Sequence, residues 1–206
     1  MQKEKKPFNP ARSFVTPVGR VAFEQVWEPK QFQGKGEFFY SVTLIFESGT
    51  EVPENLKAAL MAACSDQFGA DKAQWPKGLN MPIKKNDGME KYQGFEPGGW
   101  HIKAKSKTQP QIVGPNRDAI TDPKQFYSGC YARAHLNASA YHVSELQKGV
   151  TFYLNSLQFS MHGDRLGGGA PDAKNVFGDL ASFDSNAEMT LEEYDLSSGE
   201  DNPFMM

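Results

Sequence analysis

Apolar and polar residues alternate with a period of two along most of this chain, the pattern of strands that bury one face. Residues 12–27 read as a long first strand interrupted at Pro17-Val18-Gly19. Residues 36–46 hold the densest run of aromatic and β-branched side chains and the strongest strand signal. Within it, Phe38 and Tyr40 share one parity and Phe39 has the other, so at least one of these rings is expected in the core. One segment breaks the alternation. Between residues 53 and 68, Leu56, Leu60, Ala63, Cys64 and Phe68 recur at three- and four-residue steps. Pro53 suits a first helical turn and Gly69 a C-terminal stop, so this is the one predicted helix. Its apolar stripe is expected to plug the open end of a sheet or barrel.

Residues 71–99 follow no period and are punctuated by Trp75-Pro76, Met81-Pro82, Asp87-Gly88 and Pro97-Gly98-Gly99. They read as a long excursion between strands with room for one hairpin, and connections of that length tend to be functional. Strands resume at 100–106, 111–113, 126–141 and 149–161. The elements predict a mainly β fold, a small barrel with one helix, in a domain spanning residues 1–166. From residue 167 onward, Gly167-Gly168-Gly169-Ala170-Pro171 reads as a flexible hinge into a C-terminal tail that ends at 206.

Charge changes this picture. The chain has 22 basic and 25 acidic residues, and from Gly178 to the end there are eight acids and no Lys or Arg. The body before Gly178 therefore carries a formal +5 and the tail −8, behind a net charge of only −3. Such opposition points to a polyanionic partner for the body, and to a tail that competes with it. With few large apolar residues, the tail is expected to stay disordered. No apolar run approaches a membrane span. The charged N-terminus lacks the apolar segment of a signal peptide, so a cytoplasmic location is expected. Cys64 and Cys130 form no CxxC pair and read as buried, reduced thiols.

Two strands concentrate the candidate chemistry. In residues 100–107, alternation places His101, Lys103, Lys105 and Lys107 on one face and Trp100, Ile102 and Ala104 on the other. Same-side positions lie about 7 Å apart, a step suited to successive phosphates of an extended strand. A solvated edge strand guarded by lysines explains the row equally well. In residues 126–141, one parity holds Tyr127, Tyr131, Arg133, His135 and Tyr141, and the other holds Cys130, Ala132, Ala134, Leu136, Ala138 and Ala140. Rings interleaved with cations are what unstacked bases and phosphates require. The two faces are expected to share one open trough. Lys84 and Lys85, in the long excursion, could extend it.

Enzymatic readings find little support. The glycine run lacks the Gly-Lys-Ser/Thr of a phosphate-binding loop, and the four histidines show no ligand spacing. No catalytic residue, metal or cofactor is expected.

The acidic run ending in Asp201-Asn202-Pro203-Phe204 resembles the tips of bacterial and phage single-stranded DNA-binding proteins, from which Met205-Met206 is a departure. The body, including Lys148-Gly149-Val150, Leu154-Asn155-Ser156 and Asp164-Arg165-Leu166-Gly167-Gly168-Gly169, resembles a family of bacteriophage single-stranded DNA-binding proteins. That resemblance implies an oligonucleotide-binding (OB) barrel, a non-enzymatic coating role in phage replication or recombination, and action in the host cytoplasm. It also implies a tail whose Asp201, Pro203 and Phe204 dock on replication or recombination partners; self-association is a further expectation. Competing readings are a strand-annealing recombination mediator, a phage structural or assembly protein without DNA binding, and a metal-dependent nuclease.

Overall fold

The computed structural model describes residues 9–32 and 35–167. Eight strands and one α-helix succeed one another as β1 (Ser13–Val15), β2 (Gly19–Phe32), β3 (Lys35–Phe46), α1 (Glu54–Phe68), β4 (Ile83–Lys85), β5 (Trp100–Ser106), β6 (Gln111–Val113), β7 (Tyr131–Ser144) and β8 (Gln147–Met161). The strands belong to one sheet in which β2, β3, β5, β8 and β7 pair in that order, and β7 returns to β2 through Gly19↔Ala132 and Arg20↔Tyr131. This is a five-stranded ring of the OB kind. All its pairings are antiparallel except β5 with β8.

The short strands complete the ring's edges. β1 and β2 both pair with β7, so the break at Pro17 interrupts one strand path, as the sequence predicts. β5 and β6 share β8 in the same way, through Phe152 and Tyr153 and then Ser156–Gln158. β7 begins later than expected, because Ser128-Gly129-Cys130 forms an isolated bridge with Gly129 at φ 118°.

Alternation sorts the core. Val42, Leu44 and Phe46 of β3, Trp100, Ile102 and Ala104 of β5, and Phe152, Leu154 and Leu157 of β8 are buried together. From β7 come Ala132, Ala134, Leu136 and Ala138, each fully buried, which lets the strand approach its neighbours closely. Pro53 precedes the first turn of α1, and Leu56, Ala59, Leu60, Ala63 and Cys64 are its buried side, packed against β1, β7 and β8. Each large apolar side chain buried here contributes about 1.5–3 kcal/mol.

The expectation for Phe38, Phe39 and Tyr40 is corrected: none of these three is among the buried core residues, and the buried aromatic of β3 is Phe46. β5 accompanies β3 only as far as Tyr40↔Ser106, so the β2–β3 hairpin runs on past the barrel without a layer to cover it.

A second, smaller cluster lies on the outside of β2 and β3, where Ala22, Ile45 and Phe95 pack with Met89 and Leu166. It fastens the excursion of residues 86–99 and the segment after β8 to the barrel wall. Phe23 has φ 47°, a conformation costing about 1–3 kcal/mol. Its ring is held there by edge contact with Tyr92 and tilted contact with Phe95.

Candidate nucleic-acid interface

The outward faces of β2, β3, β5, β8 and the far end of β7 enclose an open cleft of about 860 Å³. Its floor follows from register. Ser41 of β3 stands opposite Lys105 of β5, Lys105 beside Tyr153 of β8, and Tyr153 opposite Asn137 of β7. In the neighbouring row, Thr43 faces Lys103 and Thr151 faces Ser139. Asn80, Met81 and Pro82 wall one end, where Asn80 bonds the Lys148 and Val150 backbone, and Tyr141 lies at the same end. Lys30, Gln31 and Phe39 line the other side from the projecting hairpin.

The charges are placed one by one. Lys103 makes no ion pair among the described residues. Lys105 Nζ sits 4.9 Å from the Phe39 ring centre, and Lys107 Nζ lies 6.0 Å from the same centre but is ion-paired to Glu37 at 2.6 Å. Lys84 Nζ donates to Asn80 Oδ1 at 2.7 Å. His101 Nδ1 lies 2.9 Å from Oδ1 of the fully buried Asn86, and Phe95 packs edge-on to its ring. Desolvation, and then the nearby Lys84 charge, push the His101 pKa below its ordinary value, so the ring serves the cleft as a neutral hydrogen-bonding group.

The expected trough is therefore built differently from the alternation argument. β5 and β7 are not neighbours, because β8 lies between them and contributes Thr151 and Tyr153. His101, Lys103, Lys105, Lys84 and Tyr141 come together in the cleft. Lys85 does not line it, since strand alternation turns Lys85 to the Trp100 side. Lys107 stands at the hairpin, bound to Glu37.

The first half of β7 points elsewhere. Arg133 Nε donates to Gln158 Oε1 at 2.8 Å, and His135 Nε2 lies 2.7 Å from Ser13 Oγ. Tyr127 and Tyr131 fasten the segment that leaves β8. Tyr127 OH donates to Gly163 O at 3.0 Å beneath the Arg165 guanidinium, 4.1 Å from its ring centre. Tyr131 packs against Gly163 and faces Arg20, whose Nη2 donates to the Asp164 carbonyl. These rings therefore have structural partners and do not line the cleft. Asp201, Pro203 and Phe204 lie outside the described residues.

Several cleft residues escape the alternation argument altogether. Phe39, Tyr153, Lys30, Gln25 and Gln31 line it. The aromatic density of β3 was the available signal for Phe39; Tyr153 stands in sequence between Phe152 and Leu154, both of which go to the core, and carried no comparable signal. Cys64 and Cys130 are buried free thiols, as expected, and burial pushes the Cys130 thiol up to about 11. Among the described residues, no helix is long and apolar enough to cross a membrane, and no group of three or more His, Cys, Asp or Glu is arranged to hold a metal ion.

The same architecture recurs in phage proteins. The single-stranded DNA-binding protein from bacteriophage Enc34, solved in complex with ssDNA, has a TM-score of 0.61 to this chain, at 17% identity over 76% of this chain and 90% of that one. The single-stranded DNA-binding protein gp2.5 of bacteriophage T7 has a TM-score of 0.55, at 14% identity over 76% and 95% of the two chains. At these identities the likeness is one of fold. Protein p50 of Acyrthosiphon pisum secondary endosymbiont phage 1 is 29% identical over 170 residues, covering 79% of this chain and 90% of the relative. Residues 13–190, most of the chain, match the family described as Enterobacter phage Enc34, ssDNA-binding protein, and the chain belongs to that family.

Proposed function

We propose that this protein binds single-stranded DNA non-catalytically in the cleft between the β2–β3 hairpin and the β8–β7 wall. The observation that carries this reading is the convergence of Lys84, Lys103 and Lys105 with Phe39, Tyr141 and Tyr153 on one solvent-open surface. Lysine ammonium groups at the strand step neutralise phosphates. The rings offer flat apolar faces to unstacked bases, at about 1–3 kcal/mol per base. Neutral His101, Gln25, Ser41, Ser139 and Thr151 supply hydrogen bonds without a fixed pattern of base readout. The surface thus suits coating of exposed strands in phage replication or recombination, in the host cytoplasm, with little sequence preference. Membership in a family of phage ssDNA-binding proteins supports the same reading.

The division of labour along the chain is part of the proposal. Residues 1–166 form the binding domain, and residues 167–206 the tail whose acids compete with DNA for the lysines. Its tip, with Asp201, Pro203 and Phe204, is offered to replication or recombination proteins. Deletion of residues 178–206 then tightens DNA binding; weaker binding by the shortened protein contradicts competition.

The function is tested by electrophoretic shift at low salt with single-stranded oligonucleotides of several sequences and with duplex DNA. All the single strands are expected to shift at similar protein concentrations. Failure to shift any of them contradicts the proposal and favours an assembly role.

A further inference from the structure

The two ring nitrogens of one cleft residue stand in opposite situations. His101 lines the cleft from β5, and its Nδ1 lies 2.9 Å from Oδ1 of Asn86. Among the described residues, its Nε2 neither makes a hydrogen bond nor is buried, so that nitrogen is open to solvent. Lys84, opposite His101 on β4, donates to Asn80 Oδ1 at 2.7 Å and leaves Nε2 without a donor.

Asn86 holds this arrangement from below. It is fully buried, its backbone N–H donates to the Gly99 carbonyl, and its own carbonyl accepts from the Met89 N–H. Its Nδ2 packs against Gly99, where a side-chain carbon would come within 2.6 Å of Nδ2 and 2.5 Å of the Phe46 carbonyl. The amide nitrogen thus takes the carbonyl-lined side, and the oxygen is the end that meets the ring. An amide oxygen only accepts, so Nδ1 carries the ring proton and neutral His101 has a bare lone pair on Nε2. The surroundings keep the ring neutral. Lys84 on β4 and Lys103, the next same-side residue of β5, are cations, and Ile45 on β3 and Phe95 are apolar. None of these is a carboxylate that would favour the imidazolium.

The chemistry of DNA says what can meet this lone pair. Phosphodiester and deoxyribose oxygens are acceptors, and the 2′-hydroxyl that would donate is missing from DNA. Its remaining donors are the N–H groups of the bases. Adenine and cytosine present an amino group, guanine an amino and a ring N–H, and thymine a ring N–H, all on the edge used for pairing.

We infer that Asn86 fixes His101 as a hydrogen-bond acceptor for the Watson–Crick-edge N–H of an unpaired base. This assignment rests on the cleft reading above and deepens it, naming the part of the strand that the cleft touches besides phosphate and ring face. Every base has such a donor, so the contact tolerates any sequence. Pairing occupies that edge, so the contact favours single strands.

The test uses full-length protein and two oligonucleotides, one of deoxythymidine and one of N3-methyldeoxythymidine, which keeps the backbone and ring face but lacks the N–H. Wild type is expected to bind the methylated strand about fivefold more weakly, the loss of one hydrogen bond. His101→Phe, which keeps a flat ring without the acceptor, is expected to bind the two strands equally. Asn86→Asp sets a carboxylate beside Nδ1 and favours the imidazolium, whose Nε2 is a donor. Its discrimination between the strands is expected at about pH 8.5 and absent by about pH 6.5, whereas that of the wild type stays level over this range. A purely structural role for Asn86 would give no such pH profile. A wild type indifferent to methylation overturns the inference. So does a His101→Phe protein that still discriminates, since the methyl group would then be sensed elsewhere, or an Asn86→Asp protein that discriminates equally at both pH values. Should Asn86→Asp fail to fold in thermal melts, the His101→Phe comparison decides alone. A wild type that binds neither strand overturns the cleft reading itself, an outcome distinct from loss of discrimination.

Discussion

The Lys105 ammonium lies 4.9 Å from the centre of the Phe39 ring, and the two residues reach each other from strands whose pairing ends at Tyr40↔Ser106. The contact pre-orients a cation and an aromatic face side by side, as a nucleotide presents its phosphate and base. Phe39→Ala should weaken single-strand binding about 5- to 150-fold, the loss expected for one stacked base. Phe39→Ala and Lys105→Ala should also be non-additive, because each removes part of the other's setting. Fluorescence titration of the two single variants and the double variant measures both effects; additive losses would show that the pair does not act together.

Glu37 holds Lys107 at 2.6 Å on the rim of the same hairpin. Both side chains are largely exposed, so the pair contributes little to stability. It does withhold one cation from the cleft. Glu37→Gln should leave the melting temperature unchanged, tighten single-strand binding a few-fold, and steepen the salt dependence by about 0.7. An unchanged slope would mean that Lys107 meets no phosphate.

The tyrosines separate two roles. Tyr141→Ala and Tyr153→Ala should weaken DNA binding with little loss of stability. Tyr127→Ala and Tyr131→Ala should do the reverse, loosening the residue 162–167 segment that they hold. Gly129→Ala should act like the second pair, because φ 118° disfavours alanine and its Cβ would collide with the Asp164 carbonyl. Thermal melts and DNA titrations on the same variants check the split. A loss of affinity in Tyr127→Ala or Tyr131→Ala with stability intact would restore the first half of β7 to the binding surface.

How much of this was legible in the sequence depends on the kind of contact. Period-two alternation located β5, β6 and β8 closely and sorted Trp100, Ile102 and Ala104 from His101, Lys103 and Lys105. The alanines of β7 announced a tightly packed inner face. Alternation carries no information about which strands are neighbours, so the parallel pairing of β5 with β8 was hidden, and with it the place of Tyr153. The long β7 changes surroundings along its length: Asn137 meets β1 and Tyr153, whereas Tyr131 meets Arg20 and Gly163. One parity thus served two surfaces. Phe39 was ambiguous because the end of β5 decides whether its hairpin is covered, and that end is set by tertiary pairing.

His101 gives the stability a pH signature. Its pKa is lower in the folded protein than in the unfolded chain, so the unfolded state binds more protons in the window below about 6.5. Stability from this group is complete above that pH and falls as acid is added toward the folded pKa. Cys130 acts at the other end. Its pKa rises from 9.0 to about 11, so its contribution is present below 9.0 and lost as pH climbs toward 11. Denaturant unfolding at a series of pH values should show His101→Asn flattening the acid limb, and iodoacetamide should leave the native thiols unmodified at neutral pH. An acid limb unaltered by His101→Asn, or rapid alkylation of folded protein, would contradict these assignments.

The most direct measurement is the salt dependence of single-strand affinity for the wild type and for Lys84→Ala/Lys103→Ala/Lys105→Ala. With four cleft lysines including Lys30 engaged, log affinity of the wild type should fall against log salt with a slope of about −3, and the triple variant should be shallower by about 2. Equal slopes for the two proteins, or a flat response in the wild type, would contradict a DNA path along this cleft.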